Sequence, residues 1–220
     1  MRIGGLQKFS LIDYPDKMAA IVFTQGCNFR CPYCHNRELV LPEEFKEPIP
    51  LEEVMGFLKN RRGYLEGVVI TGGEPTEQED LITFINSVKE LGYLIKLDTN
   101  GSRPHVIREI VQLRSVDYIA MDVKTSPEKY SKAIGVEFSV EKIKESVELI
   151  KNSGIQHEFR TTVVQPFCSF EDVCEISSLI KGAQFYRLQA FRPSPKMINP
   201  GLQKVNQISP EEIESWQERV

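Results

Sequence analysis

The sequence predicts an α/β protein folded as an incomplete (β/α)6 barrel, with parallel strands inside and helices outside. Two observations carry this. Short apolar runs alternate with helix-period segments along all 220 residues, the pattern of successive βα units around a parallel sheet. Six such units in about 190 residues are too few for a closed eightfold barrel, which typically needs about 250. A chain of this length is expected to form a single domain, residues 1–220, because a domain usually takes about 100–200 residues.

The strands are justified by apolar continuity. Ala19–Thr24, Val68–Thr71, Leu94–Thr99, Tyr118–Val123, Glu158–Val164 and Tyr186–Phe191 are the six, several of them near-continuous apolar runs of the kind that suits a strand covered on both faces. The helices carry their own signals. The first runs over Leu51–Arg62 and is ended by Gly63. Thr76 with Glu79 makes a capping box for the next, whose Leu81, Ile85 and Val88 share a face and whose stop is Gly92. Pro104–Leu113 follows the third strand. Ser139 precedes Val140, Ile143, Val147 and Ile150 at helical spacing with Gly154 as the stop, and Glu171–Lys181 is ended by Gly182. Ser209, Pro210 and Glu212 cap a last helix with Ile213, Trp216 and Val220 on one side. The Pro-rich segments 41–50 and 192–201 are loops.

Composition narrows the class. A hydrophobic fraction of 41% with 26% charged residues excludes a disordered or collagen-like chain. The net charge of −4 argues against a nucleic-acid partner, because non-specific binding there depends on Lys and Arg neutralising phosphates. No stretch approaches the roughly 18 apolar residues of a membrane helix, and Met1–Ser10 lacks an apolar signal core, so no membrane association and a cytoplasmic location are expected. Three of the five cysteines fall within eight residues, a poor disulfide framework and a good ligand set.

Those three thiols lie in the segment Thr24–Asn36, directly after the first strand, at the spacing C-x3-C-x2-C: Cys27, Cys31 and Cys34. A cubane iron-sulfur cluster normally takes four thiolates, so a three-cysteine loop leaves one iron open to an outside ligand. Three other readings use part of the same segment. Cys31–Cys34 alone is a dithiol redox motif, Cys31–His35 fits the haem-attachment pattern, and three Cys with His35 suit structural zinc.

Strand ends collect further polar groups. Gly72 and Gly73 close the second strand before Glu74 and Pro75; read alone they form a turn, or let backbone approach a ligand closely. Asp98-Thr99-Asn100-Gly101 ends the third strand and suits an Asx-type turn. Asp122 and Lys124 end the fourth strand as an ordinary ion pair. Arg160 and Gln189 sit on the fifth and sixth strands as candidates to contact a ligand at the barrel mouth, and for Arg160 an ion pair with Glu158 or Asp122 is the alternative. Cys168 and Cys174 read as buried thiols, and His35 as a group that could tune whatever the neighbouring thiols hold.

C-x3-C-x2-C with an aromatic residue, Tyr33, before the third Cys, followed by Gly72-Gly73-Glu74-Pro75 after the next strand, resembles the radical S-adenosylmethionine (SAM) enzymes over almost the whole chain. The resemblance implies a 4Fe-4S cluster on Cys27, Cys31 and Cys34, and SAM as the second cofactor. It further implies that Gly72, Gly73 and Glu74 meet the SAM amino group and that Tyr33 lies near the adenine. In activating enzymes of the glycyl-radical group, residues matching Asp98 and Thr99 help position SAM, in some members through a monovalent cation, and Asp122 with Lys124 matches an Asp-x-Lys of the same group.

The opening segment Ser10-Leu11-Ile12-Asp13-Tyr14-Pro15-Asp16-Lys17 resembles the start of the activating proteins of anaerobic ribonucleoside-triphosphate reductases, which have glycine where this chain has Asp16. That resemblance implies an oxidoreductase that cleaves SAM reductively and takes a hydrogen atom from a backbone glycine of the partner reductase, with flavodoxin or ferredoxin as electron donor. Another glycyl-radical protein such as pyruvate formate-lyase, or a small molecule, is the alternative substrate, and a zinc-binding interaction protein the non-enzyme alternative.

Overall fold

The computed structural model describes residues 1–220. Its strands are β1 (Ile3–Ser10), β2 (Ala19–Thr24), β3 (Gly67–Gly72), β4 (Leu94–Thr99), β5 (Tyr118–Asp122), β6 (Gln156–Val163) and β7 (Tyr186–Ala190). Between them lie α1 (Arg37–Val40), α2 (Leu51–Asn60), α3 (Leu81–Lys89), α4 (Pro104–Leu113), α5 (Tyr130–Ile134), α6 (Glu141–Lys151) and α7 (Phe170–Leu179), with α8 (Pro210–Gln217) last. The seven strands pair strictly in chain order. β2 to β7 are parallel, and β1 is antiparallel to β2. Since β7 does not pair with β1, the sheet stays open, an incomplete barrel with both edges free of each other.

Strand alternation divides the two faces of the sheet. Ala20 and Val22, Val68 and Ile70, Ile95 and Leu97, Ile119 and Met121, and Phe159 point into a core of 39 buried residues shared with the helices. The helical partners include Leu81, Ile85 and Val88 of α3, Ile107 and Ile110 of α4, and Ile143, Val147 and Ile150 of α6. On the concave face Ile21, Val69, Tyr118 and Ala120 make a small apolar floor with Tyr14 and Ala19. The charged concave residues Lys96, Asp98, Asp122, Glu158 and Arg160 pair with one another or with Lys124 and Arg187.

Several local expectations change. β1 is a strand that apolar periodicity does not reveal, since it carries Gly4 and Gly5 and then exposed Gln7, Lys8 and Phe9. Thr76 and Glu79 form no capping box. Pro75–Glu77 is a single 3-10 turn in which Glu74 caps the Thr76 N–H, and α3 begins later, at Leu81. Ser139 does not cap α6, whose first flanking residue is Val140. A capping box does exist at α7, between Ser169 and Asp172. Gly92, Gly154 and Gly182 take positive φ where helix stops are expected. Ser209 accepts from the Glu212 N–H and starts α8, whose Ile213 and Trp216 pack with Val163, Cys168 and Val173.

Candidate active site

The thiol loop leaves the C-terminal end of β2 and is held by main-chain bonds at both flanks. The Gln25 N–H donates to Arg2 O (2.9 Å), the Gly26 N–H to Leu39 O (2.8 Å) and the Arg30 N–H to Ile134 O (2.8 Å). The Arg30 guanidinium folds back on the carbonyls of Cys27 (2.5 Å) and Phe29 (2.7 Å), and the Phe29 ring is buried against Phe138. From the far end of the chain, Ile198 and Asn199 donate to Cys34 O and Pro32 O. A loop so tied presents its side chains in one arrangement rather than many.

Gly72 and Gly73 press against this loop. The Gly73 N–H donates to Thr24 O (2.8 Å) and the Glu74 N–H to Gly26 O (2.7 Å). A Cβ on Gly73 would lie 2.0 Å from Gly26 O, so only glycine permits the approach. Glu74 then turns inward and is almost fully buried. Its carboxylate accepts from the Thr76 N–H (3.1 Å) and hydroxyl (2.5 Å), the Thr99 hydroxyl (2.6 Å) and the Asn100 N–H (2.6 Å). One carboxylate thereby joins the ends of β3 and β4.

Beyond β4 the concave face carries a ladder of charge. Lys96 Nζ, 2% exposed, sits 2.6 Å from Asp98, whose other oxygen meets Arg160 at 3.2 Å. Arg160 reaches Asp122 at 2.8 Å, and Lys124 meets the second Asp122 oxygen at 2.9 Å. Glu158 is taken instead by Arg187 (2.6 Å). Burial opposes ionisation of Asp122, but the charges of Arg160 and Lys124 outweigh it and hold this carboxyl well below the usual range. Burial works against the charges of Lys124 and Arg160 too, and the carboxylates, Asp122 foremost, hold both cations charged.

Cys27, Cys31, Cys34, Gly72, Gly73, Glu74, Asp98, Thr99, Asp122, Lys124 and Arg160 all line one cavity of about 180 Å³ at the C-terminal strand ends. Two expected residues are elsewhere. Tyr33 is buried between Phe167 and Phe191 and does not line this cavity. Gln189 lines a second cavity of about 480 Å³ with Asp13, Asp16, Lys96 and Arg187, and Arg160 borders both. Asn100 and Asn36 also line the thiol cavity, and sequence reasoning gave neither a role; the motif Asp98–Gly101 was the available signal for Asn100.

The donor set can be tested against the implied cofactor. All three loop thiols border one cavity, yet no three His, Cys, Asp or Glu side chains form a single-ion site. Dispersed thiols around one space fit a cluster with several irons better than one zinc ion. His35 stacks on Phe191, 5.6 Å between ring centres, rather than joining the thiols as a set. Burial pushes Cys27 up to about 12 and Cys31 up to about 11, so metal-free protein keeps these thiols protonated and cluster assembly releases protons. Cys168 is buried, as expected, whereas Cys174 is exposed on α7, and neither lines the cavity.

Residues 21–180 match the family model of the radical SAM superfamily. The chain belongs to that superfamily. Within this radical SAM group it is 36% identical over 196 residues to a Methanocaldococcus jannaschii protein provisionally named a glycyl-radical enzyme activating enzyme, covering 87% of this chain and 80% of the relative. It is 28% identical over 186 residues to the pyruvate formate-lyase-activating enzyme of Clostridium pasteurianum, covering 82% and 76% respectively. Streptococcus suis SuiB, solved with bound S-adenosylmethionine, superposes with a TM-score of 0.70 at 14% identity over 90% of this chain and 45% of SuiB, a likeness of fold. No helix is long and apolar enough to cross a membrane.

Proposed function

We propose that this radical SAM enzyme is an activase that generates a glycyl radical on a partner enzyme, an anaerobic ribonucleoside-triphosphate reductase. The observation that carries the reading is the convergence of three thiols and the Gly72–Glu74 turn on one cavity, in a chain whose relatives include named activating enzymes. The partner rests on the segment Ser10–Lys17. A 4Fe-4S cluster on Cys27, Cys31 and Cys34 would supply the electron that cleaves SAM to methionine and a 5′-deoxyadenosyl radical.

The chain's own residues hold and orient. The Gly72–Gly73 backbone and Glu74 build the wall beside the thiols, and Thr99 braces that wall through Glu74. Asp98 and Asp122 offer negative charge to the ammonium end of SAM, and Arg160 and Lys124 offer positive charge to its carboxylate. Cations and carboxylates alternate here, so the zwitterionic amino-acid end of SAM meets both signs of charge. The monovalent cation considered at Asp98 has a competitor in place, because Lys96 and Arg160 already neutralise that carboxylate.

Anaerobic reconstitution tests the proposal in two stages. Protein that becomes brown and EPR-active and releases 5′-deoxyadenosine on reduction, with each of Cys27→Ala, Cys31→Ala and Cys34→Ala inactive and Cys168→Ala active, meets the first. Colourless protein without cleavage would end the reading. The second mixes reduced protein, flavodoxin or ferredoxin, SAM and the reductase, where a glycyl-radical doublet absent from a glycine-to-alanine reductase is expected. Cleavage without any doublet would remove the reductase and leave the enzyme.

A further inference from the structure

We propose that Asn100 is a positioning residue that donates a side-chain N–H hydrogen bond to the Cys27 sulfur and so raises the reduction potential of the cluster held there, an inference that rests on the cofactor reading above. Asn100 is buried at the end of β4. Its backbone N–H is taken by Glu74 (2.6 Å) and its side-chain oxygen accepts from the Ser102 N–H (2.9 Å). With that oxygen committed, the amide nitrogen faces the thiol loop. It donates to Asn28 Oδ1 at 3.1 Å and lies 3.8 Å from Cys27 Sγ, and a primary amide has two N–H groups, one for each acceptor.

The local turn does not explain this nitrogen. An Asx turn requires only the bond from Ser102 to the side-chain oxygen, which an aspartate would make equally well. Asn28 shapes the same contact, since its oxygen also accepts from the Ser102 hydroxyl (3.2 Å) and thereby holds an acceptor beside the Asn100 amide. Cys27 receives a second donor, the Phe29 N–H, at 3.4 Å. The Cys27 corner is thus the sulfur on which two N–H groups converge.

A donor to a ligating sulfur stabilises the form with more negative charge. Here that is the cluster after it accepts one electron from an external reductant. A hydrogen bond strengthened on reduction by roughly 0.7–1.4 kcal/mol, within the range of single hydrogen bonds, changes that equilibrium by about threefold to tenfold. For a one-electron couple that is about 30–60 mV, at 59 mV per tenfold.

The test is a dithionite titration of the reconstituted full chain, followed by the EPR signal of the reduced cluster. Asn100→Ala should lower the midpoint by about 30–60 mV, and Asn100→Asp, which keeps the acceptor for Ser102 but lacks the donor, should lower it at least as far. Ser178→Ala, at an exposed position of α7, should leave it unmoved. Wild-type midpoints in both Asn100 variants would overturn the proposal while leaving the cofactor reading intact; failure of the wild-type chain to take up a cluster would instead remove that reading. Should neither variant retain a cluster, side-chain-15N asparagine in an N28D/N36D background supplies the decision. A 15N coupling to the reduced cluster supports the Asn100 contact, and its absence overturns it.

Discussion

Asp16 holds a backbone conformation at φ 58° that side chains other than glycine rarely take. Glycine would take this conformation without strain, and Asp16 holds it in the turn between β1 and β2, in the left-handed region that Asp tolerates better than most. Substitution by a β-branched residue removes that tolerance. Asp16→Val is expected to cost about 1–2 kcal/mol in urea unfolding, whereas Asp16→Gly is expected to lose nothing. An equal loss in both variants would mean that the carboxylate, not the backbone, matters here.

At the scale of elements, Gly73 joins β3 to the thiol loop. Because a methyl group there would meet Gly26 O at 2.0 Å, Gly73→Ala must push the two segments apart. A loss of more than about 3 kcal/mol is expected, at the far end of what single substitutions do, with failure to incorporate iron; a folded variant with full iron content would refute it. Asp172 ties α7 to the segment before α5. It accepts from the Ser126 hydroxyl (2.5 Å), Lys129 (2.7 Å) and the Ser169 N–H (2.7 Å). Burial opposes its ionisation, and these donors outweigh that, so its pKa falls on folding. Its stabilisation is therefore complete above the unfolded aspartate pKa and is lost as pH falls through the lower folded value. Asp172→Asn should cost about 1–3 kcal/mol at neutral pH and should narrow its gap to wild type as the solution is acidified, in denaturation series at pH 7 and below 4.

The same elements show what the sequence made legible. β2, β4 and α4 end where apolar periodicity and the Pro104 signal put them. β1 escaped because an edge strand bearing two glycines and exposed polar residues lacks the apolar run that reveals its neighbours. The false capping box arose because Thr76 and Glu79 have the right spacing, while Pro75 and the buried Glu74 impose a 3-10 turn that spacing does not encode. Motifs located the thiols and the strand-end residues. Lys96 belongs to no such motif, although its partner Asp98 lies two residues on along the same strand face; Asn100 lies inside the Asp98–Gly101 motif, but its contact with Cys27 exists only because sheet register sets β4 beside β3 and the loop above them.

Across the whole molecule, the concave face of an open sheet must hold its charges without the closure that a full barrel provides. Arg160 is central to this, because it spans Asp98 of β4 and Asp122 of β5 from β6 and borders the cavities on both sides. Replacing it with leucine would leave two carboxylates short of their shared cation in a mostly buried setting. Breaking a buried pair from one side costs about 3–5 kcal/mol, so Arg160→Leu should be strongly destabilised at pH 7. The pH dependence should also change. With Arg160 present the Asp122 pKa is depressed, and its contribution is lost as pH falls below the unfolded aspartate value; without Arg160, Lys124 alone opposes burial, the depression shrinks, and the gap between the two proteins narrows on acidification. Equilibrium unfolding of both proteins between about pH 2 and 7 measures this directly. Parallel curves would show that Arg160 is a peripheral cation and that the ladder does not join β4, β5 and β6 as one electrostatic unit.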